Sequence, residues 1–84
     1  MSMNTNTLWR IVAVLTPAAR RERYLETSDM GVRYGMTAAE RWAHAARYVR
    51  TEAHKATAER AAAWMRDGIG SHQFASVRVE RGAR

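Results

Sequence analysis

Arginine is the side chain in this sequence best suited to a chemical task, and that task is the binding of anionic groups. Lys and Arg number 14 against 8 Asp and Glu, a formal net charge of +6 at pH 7, and 13 of the 14 cationic residues are Arg. A guanidinium group offers five N–H donors in a planar fork that suits phosphates, carboxylates and aromatic faces. This charge favours association with nucleic acid or with an acidic protein surface.

The basic residues fall into three groups along the chain. The densest group lies in a short stretch after the first predicted strand. A second group occupies neighbouring turns on the polar side of a predicted helix, and a third recurs every three residues near the C-terminus. We predict that a surface for nucleic acid or an acidic partner is formed by Arg20, Arg21, Arg23, Arg47, Arg50, Lys55, Arg78 and Arg81.

The other polar side chains predict no catalytic residue, no metal site and no cofactor. The sequence contains no Cys, so it has no thiolate nucleophile, no disulfide and no Cys-ligated zinc. His44 and His54 lie about 15 Å apart along a continuous helix, which is too far for them to share a metal ion. Gly70-Ser71-His72 is typical of a turn and does not match the G-x-S-x-G pattern of a serine nucleophile. We therefore expect a non-enzymatic binding protein.

The length and composition indicate one small domain with a lean core. Only 12 of the 84 residues are Leu, Ile, Val or Phe, so burial of further surface in a homodimer or against a partner is expected. The longest apolar run, Ile11–Leu15, is far shorter than the roughly 20 residues of a membrane helix. Residues 1–7 are polar and lack the features of a signal peptide. These observations predict a cytoplasmic protein with no membrane partner.

Three elements carry clear local signals. Leu8–Leu15 is rich in β-branched residues and apolar on both faces, which predicts a central strand. Thr37 and Glu40 form a capping box, which predicts that a helix begins there. Residues 73–80 alternate between two faces, as in a strand that is covered on one side only.

The segment 17–27 allows two interpretations. Thr16 followed by Pro17 is a helix-start signal, but the apolar residues after it do not form a helical stripe. The alternative is a basic loop followed by a short strand, which would pair as a hairpin with a second strand over 32–36 across the turn 28–31. We favour the hairpin.

Residues 38–66 contain neither Gly nor Pro and predict either one long helix or two helices with a break near 48–50. An apolar stripe at 3.6-residue spacing places Trp42 and Trp64 in the core. Arg60 interrupts that stripe, so its aliphatic stem is expected to pack there. Gly68 is expected to end the helix in the left-handed conformation, with Ile69 folded back onto the last turn.

These elements together predict an α+β fold. We expect a small antiparallel-rich sheet of three or four strands with one long or broken amphipathic helix packed on one face. The domain is expected to span 8–80, between a flexible N-terminus over 1–7 and a basic C-terminal tail over 81–84.

The order of elements along the chain is marked by Trp9, Arg23-Tyr24-Leu25, Thr37-x-x-Glu40, Glu52-Ala53 and Val77-x-Val79. This overall layout resembles that of short phage- and prophage-encoded accessory proteins, including inhibitors of the anti-CRISPR type. The resemblance implies stoichiometric binding to a larger host or phage assembly, without catalysis. It supplies the alternative function, an inhibitor or adaptor that blocks a host protein assembly through an acidic partner surface.

A second comparison is with the ribbon-helix-helix DNA-binding proteins. The sequence resembles them if Val32–Met36 is the ribbon and the helical segment behind it divides in two. It departs from that pattern because no Gly-containing turn separates the two helical halves and because an extra strand is predicted on each side.

Overall fold

Three strands and four helices make up residues 8–82, the part of the chain that the computed structural model describes. The strands pair antiparallel in the order β2-β1-β3, which confirms the predicted α+β class and its antiparallel sheet. In chain order the elements are β1 (Trp9–Leu15), α1 (Pro17–Glu26), α2 (Met30–Tyr34), α3 (Ala38–Ala45), β2 (Arg47–Glu52), α4 (Lys55–Asp67) and β3 (Phe74–Arg81).

The central strand β1 forms where its sequence predicts it. Ile11, Val12 and Ala13 are all buried, which fits a strand with apolar residues on both faces and a neighbour on each side. β3 also lies within one residue of its predicted bounds. The predicted segment 1–7 and the last two residues of the predicted tail lie outside the described residues.

Helix α4 covers one face of the sheet. Ile11 of β1 meets Ala58 and Ala62 of α4, and none of the three has any exposed surface. Because alanine side chains are short, the helix lies close to the strands, and the molecule measures 44 × 31 × 14 Å. We call β1, β2, β3 and α4 the sheet layer. On the second face of its sheet most side chains are exposed, although Val12 at its centre is buried.

Helices α1, α2 and α3 form a separate helical end beside the sheet. The Thr16 side chain accepts a hydrogen bond from the Ala19 N–H at 3.3 Å, so it caps α1 ahead of Pro17. The capping box at the start of α3 is confirmed, with reciprocal hydrogen bonds of 3.1 and 2.8 Å between Thr37 and Glu40.

The predicted hairpin between 23–27 and 32–36 is wrong. The first segment belongs to α1, because the Thr16-Pro17 start signal prevails over the weak apolar spacing. The second is mostly the single turn of α2, which ends at Gly35 in the left-handed conformation with φ 67°. Its alternating apolar residues do not reach a core, and Val32 is 93% exposed. The ribbon of the second comparison is therefore absent.

The interpretation of 38–66 as helix throughout is also wrong, because β2 separates α3 from α4. The predicted break is real, but its residues pair with β1, with Val49 opposite Val12. Hydrogen bonds to β1 satisfy the backbone N–H and C=O groups of these residues. The spacing of apolar residues within 47–52 does not reveal this distant partner. This insertion changes which side of each helix faces inward.

The predicted apolar stripe fails for the same reason. Trp64 is 70% exposed and Trp42 is 38% exposed, whereas Ala58 and Ala62 are buried. Arg60 lies on the exposed side of α4 and not on a buried stripe. Gly68 adopts an extended conformation with φ −82° and ψ −172°, and Ile69 points into solvent instead of folding back. Within residues 8–82, none of the helices combines the length and apolar character needed to cross a membrane.

Candidate nucleic-acid interface

The exposed face of the sheet gathers basic side chains from all three strands. In the antiparallel register Val12 lies between Val49 and Arg78, Val14 lies between Arg47 and Ser76, and Arg10 lies between Thr51 and Glu80. Since alternate residues of a strand point to the same side, these nine side chains share one surface. We call this surface the open face; it consists of Arg10, Val12, Val14, Arg47, Val49, Thr51, Ser76, Arg78 and Glu80.

Each strand contributes one arginine to the open face. From ordinary strand spacing and rise, the Cα atoms of Arg10 and Arg78 lie about 8 Å apart, and those of Arg78 and Arg47 about 12 Å apart. The three arginines therefore mark the corners of a triangle on the open face, with Arg10 and Arg47 about 14 Å apart. Of the valines between them, Val49 is exposed, Val14 is half-buried and Val12 is buried beneath the surrounding side chains.

Glu80 orders two of the three arginines. Its carboxylate accepts a hydrogen bond from Arg10 at 2.5 Å and another from Arg78 at 3.2 Å. The hydrogen bond from Arg78, together with the nearby Arg10 charge, holds the pKa of the Glu80 carboxyl below its usual value, although desolvation acts in the opposite direction. With Glu80 ionised, the open face has a net charge of +2 and prefers anionic partners.

Two of the predicted binding residues, Arg47 and Arg78, lie together on the open face. Three others, Arg50, Lys55 and Arg81, lie outside it. Arg50 lies on the opposite side of the sheet and forms a 2.7 Å salt bridge with Glu52. Lys55 and Arg81 lie beside the Trp9 ring, with their charged groups 5.4 and 5.6 Å from its centroid.

The remaining three predicted residues lie on helix α1, so the basic loop expected there is wrong. The Arg20 guanidinium stacks on Trp42 at 3.9 Å from the ring centroid, and its Nε donates to the Trp42 carbonyl at 3.0 Å. The Arg23 side chain donates to the Arg47 carbonyl at 2.8 Å. Both side chains therefore join α1 to neighbouring elements, whereas Arg21 is exposed.

Arg10 was missed by the sequence reasoning because it lies inside the strand that carries the core. Its signal was present in the alternation of Arg10, Val12 and Val14, which puts a cation on the face opposite Ile11. Trp64 was also missed, because it was assigned to the core. In both cases the apolar neighbours in the sequence suggest a burial that the fold does not provide.

The fold and the open face define a small α+β protein with a cationic, helix-free sheet surface. No family model, no curated protein and no solved structure matches this chain. Across residues 8–82, His, Asp and Glu side chains do not come together in any group of three or more that could hold a metal ion.

Proposed function

We propose that this protein is a non-enzymatic binding protein that docks onto nucleic acid, or onto a complex that contains it, through the open face. The observation that carries the proposal is the presence of one arginine from each strand on a sheet surface without a covering helix. The formal charge of +6 adds long-range attraction to a polyanion.

The chemistry of the open face suits phosphate groups more than bases. Arginine forms paired, charge-assisted hydrogen bonds with phosphate oxygens. The surface between the arginines consists of valines and small hydroxyl residues, so it offers no aromatic ring on which a base could stack. Contacts of this kind position a nucleic acid without reading its sequence, and they weaken as salt rises.

Fluorescence anisotropy with a labelled oligonucleotide over a range of salt concentrations tests the proposal. The double variant Arg47→Gln/Arg78→Gln removes two cations from the open face. On a single strand we expect it to reduce the slope of log affinity against log salt by about 0.7 for each lost phosphate contact.

The matched control is Arg21→Gln/Arg33→Gln, which removes the same charge from the exposed surface of α1 and α2. Arg33 only forms a 3.5 Å salt bridge with Asp29, four residues earlier. Equal losses in the two double variants would mean that only net charge matters. Unchanged binding by the open-face variant would overturn the proposal.

The helical end supports a second candidate function, the inhibitor or adaptor that the phage-protein resemblance implies. Leu25, Val32 and Tyr34 are all largely exposed on α1 and α2. Leu25 also lines a shallow groove of about 380 Å³ together with Arg21, Tyr24 and Trp42. An apolar surface with a cationic rim suits a protein partner with acidic groups around an apolar patch.

A pull-down from nuclease-treated host lysate distinguishes the two candidates. If a partner protein binds directly, it is retained after nuclease treatment. Its retention is then lost in Leu25→Glu but not in Arg47→Gln/Arg78→Gln. If nucleic acid is the target, nuclease releases the captured material and the open-face variant captures less. Retention that neither variant reduces would contradict both assignments.

A further inference from the structure

A second aromatic and basic site lies on the opposite side of the sheet from the open face. A groove of about 320 Å³ runs between α4 and the edge strand β2, a volume comparable to that of a small-ligand site. We call it the Trp64 groove; its lining residues are Arg50, Thr57, Arg60, Ala61, Trp64 and Met65.

The indole of Trp64 lies on the surface although it is the largest apolar side chain of α4. Its exposed fraction is 70%. One side of the ring packs against Gly68, where an added Cβ would collide with the Trp64 carbonyl oxygen and lie 3.2 Å from the ring. Glycine at this position therefore allows the ring to lie against the end of the helix, and the backbone supports it there. An aromatic plane held in this way is a stacking surface.

Two guanidinium groups accompany this ring. Arg60 lies one helical turn before Trp64, on the same side of α4. Among the described residues Arg60 forms none of the salt bridges, whereas Arg50 is held at the groove by its 2.7 Å contact with Glu52. The groove thus combines an aromatic plane with cations, which is the combination that binds single-stranded nucleic acids.

The edge strand β2 joins the Trp64 groove to the open face. Arg47 belongs to the open face, and Arg50, three residues later, belongs to the groove. β2 has β1 on one side only, and Arg23 of α1 contacts it at the Arg47 carbonyl. Beyond Arg47 a strand of nucleic acid can pass round its outer edge. Cations then accompany it on both sides of the sheet.

We infer that the Trp64 groove receives one unpaired base of a single-stranded nucleic acid, stacked on Trp64, with the flanking phosphates bound by Arg60 and Arg50. This inference rests on the proposed function and specifies its substrate as single-stranded. Bases within a duplex are already stacked on one another, so the groove gains nothing from them. The open face supplies affinity, and the groove supplies the preference for unpaired bases.

The test compares three ligands of about 12 nucleotides, within the range of about 4–16 nucleotides that a single OB fold covers. They are a single strand, the same backbone with every base removed, and the duplex. One stacked base is expected to make the single strand bind the wild type about five- to 150-fold more tightly than the abasic strand. Trp64→Ala should remove this difference, and Trp64→Phe should keep a several-fold preference.

The control variant is Ile69→Ala, which removes a comparably exposed apolar side chain close to the groove and should leave the preference intact. Arg60→Gln should weaken the single strand and the abasic strand by equal factors. Thermal unfolding of each variant checks that it is folded, and the exposure of Trp64 makes loss of folding unexpected.

The outcomes separate the inference from the proposed function. Equal, salt-dependent binding of the abasic strand and the single strand overturns the inference and leaves the proposed function standing. A preference that persists in Trp64→Ala overturns the inference as well, because the base then stacks elsewhere. If none of the three ligands binds at low salt, both are wrong.

Discussion

The sheet layer and the helical end differ in what holds them together. In the sheet layer, Ile11 is completely enclosed between strands and the alanines of α4. Helices α1, α2 and α3, all within the described residues, contain a single buried residue, Ala45. Arginines connect the helical end instead: Arg41 donates to the Thr27 and Tyr24 carbonyls at 3.2 and 2.6 Å.

This difference teaches that one residue type serves two purposes in a chain with few large apolar side chains. At the helical end the guanidinium groups stack on rings and bind carbonyl oxygens. In the sheet layer, where the core is apolar, Arg10, Arg78 and Arg50 form salt bridges with Glu80 and Glu52 at the surface. Arg66 donates to the Val77 carbonyl at 3.4 Å. A basic cluster in the sequence is therefore not in itself a binding surface. Some of its arginines make contacts within the fold, and only the others are available to a partner.

The largest effect is expected from Ile11→Ala. Removing this side chain leaves a cavity at the centre of the sheet layer, and substitutions of this kind cost about 2–5 kcal/mol. Urea unfolding should show a loss of that size, which is a large fraction of the stability of a small domain. Val49→Ala, on the open face, is the control and should cost far less. Similar losses for the two variants would mean that the sheet layer has no distinct core.

A smaller and more local effect is expected from Arg41→Ala. This variant loses two charge-assisted hydrogen bonds and the stacking of the guanidinium on Tyr24 at 4.1 Å. A hydrogen bond to a charged group contributes about 1.5–3 kcal/mol. Because both bonds come from one part-buried guanidinium group that solvent screens, we expect a total loss of about 2 kcal/mol. Amide hydrogen exchange should become faster in α1 and remain slow in β1. Equal acceleration in both elements would show that the two regions unfold as one unit.

The pair Arg20→Ala and Arg21→Ala sharpens the comparison within a single helix. Arg20 covers the Trp42 ring, and a cation–π contact at a partly exposed site contributes about 0.5–1 kcal/mol. Arg21 is exposed, so its removal should leave the melting temperature nearly unchanged. Thermal unfolding of the two variants measures the difference directly. Equal melting temperatures would contradict a structural role for Arg20.

The smallest effect concerns the pH dependence of the open face. Glu80 has a pKa below its usual value because Arg78 donates a hydrogen bond to it and Arg10 lies close by. Its ionised form therefore stabilises the folded state above the unfolded pKa, and this contribution is lost as the pH falls through the lower folded value. An NMR titration of the Glu80 carboxyl should show the low midpoint. Arg78→Gln should raise that midpoint, and a midpoint unaffected by Arg78→Gln would contradict this origin.

Local signals in the sequence were sufficient for the central strand, the final strand and the start of α3. Each depends on residues that are neighbours in the chain, such as the reciprocal caps at Thr37 and Glu40. Strand β2 could not be found in this way, because its partner is β1 and three helices intervene. Arg47, Arg50 and Thr51 resemble the polar side of a helix until that partner is known.

The candidate site was only partly predictable for the same reason. Arg47 and Arg78 were both expected to bind, but their common surface depends on the register of two strand pairings. Trp64 was placed in the core because the phase of α4 depends on where β2 ends. Arg20 was expected to reach outward, since the Trp42 ring beneath it belongs to a helix that is distant in sequence.

The central position of β1 also dictates when the sheet can be completed during synthesis. β1 is made before both of its partners, and β3 is the last of the three strands to be made. Pairings between segments so distant in sequence form slowly. Until Phe74–Arg81 is made, β1 can pair on only one side, and an unpaired apolar strand edge invites pairing with other chains. Any state of the chain in which β3 has not yet paired therefore leaves one edge of Ile11, Val12 and Ala13 open to pairing with a second copy of the chain.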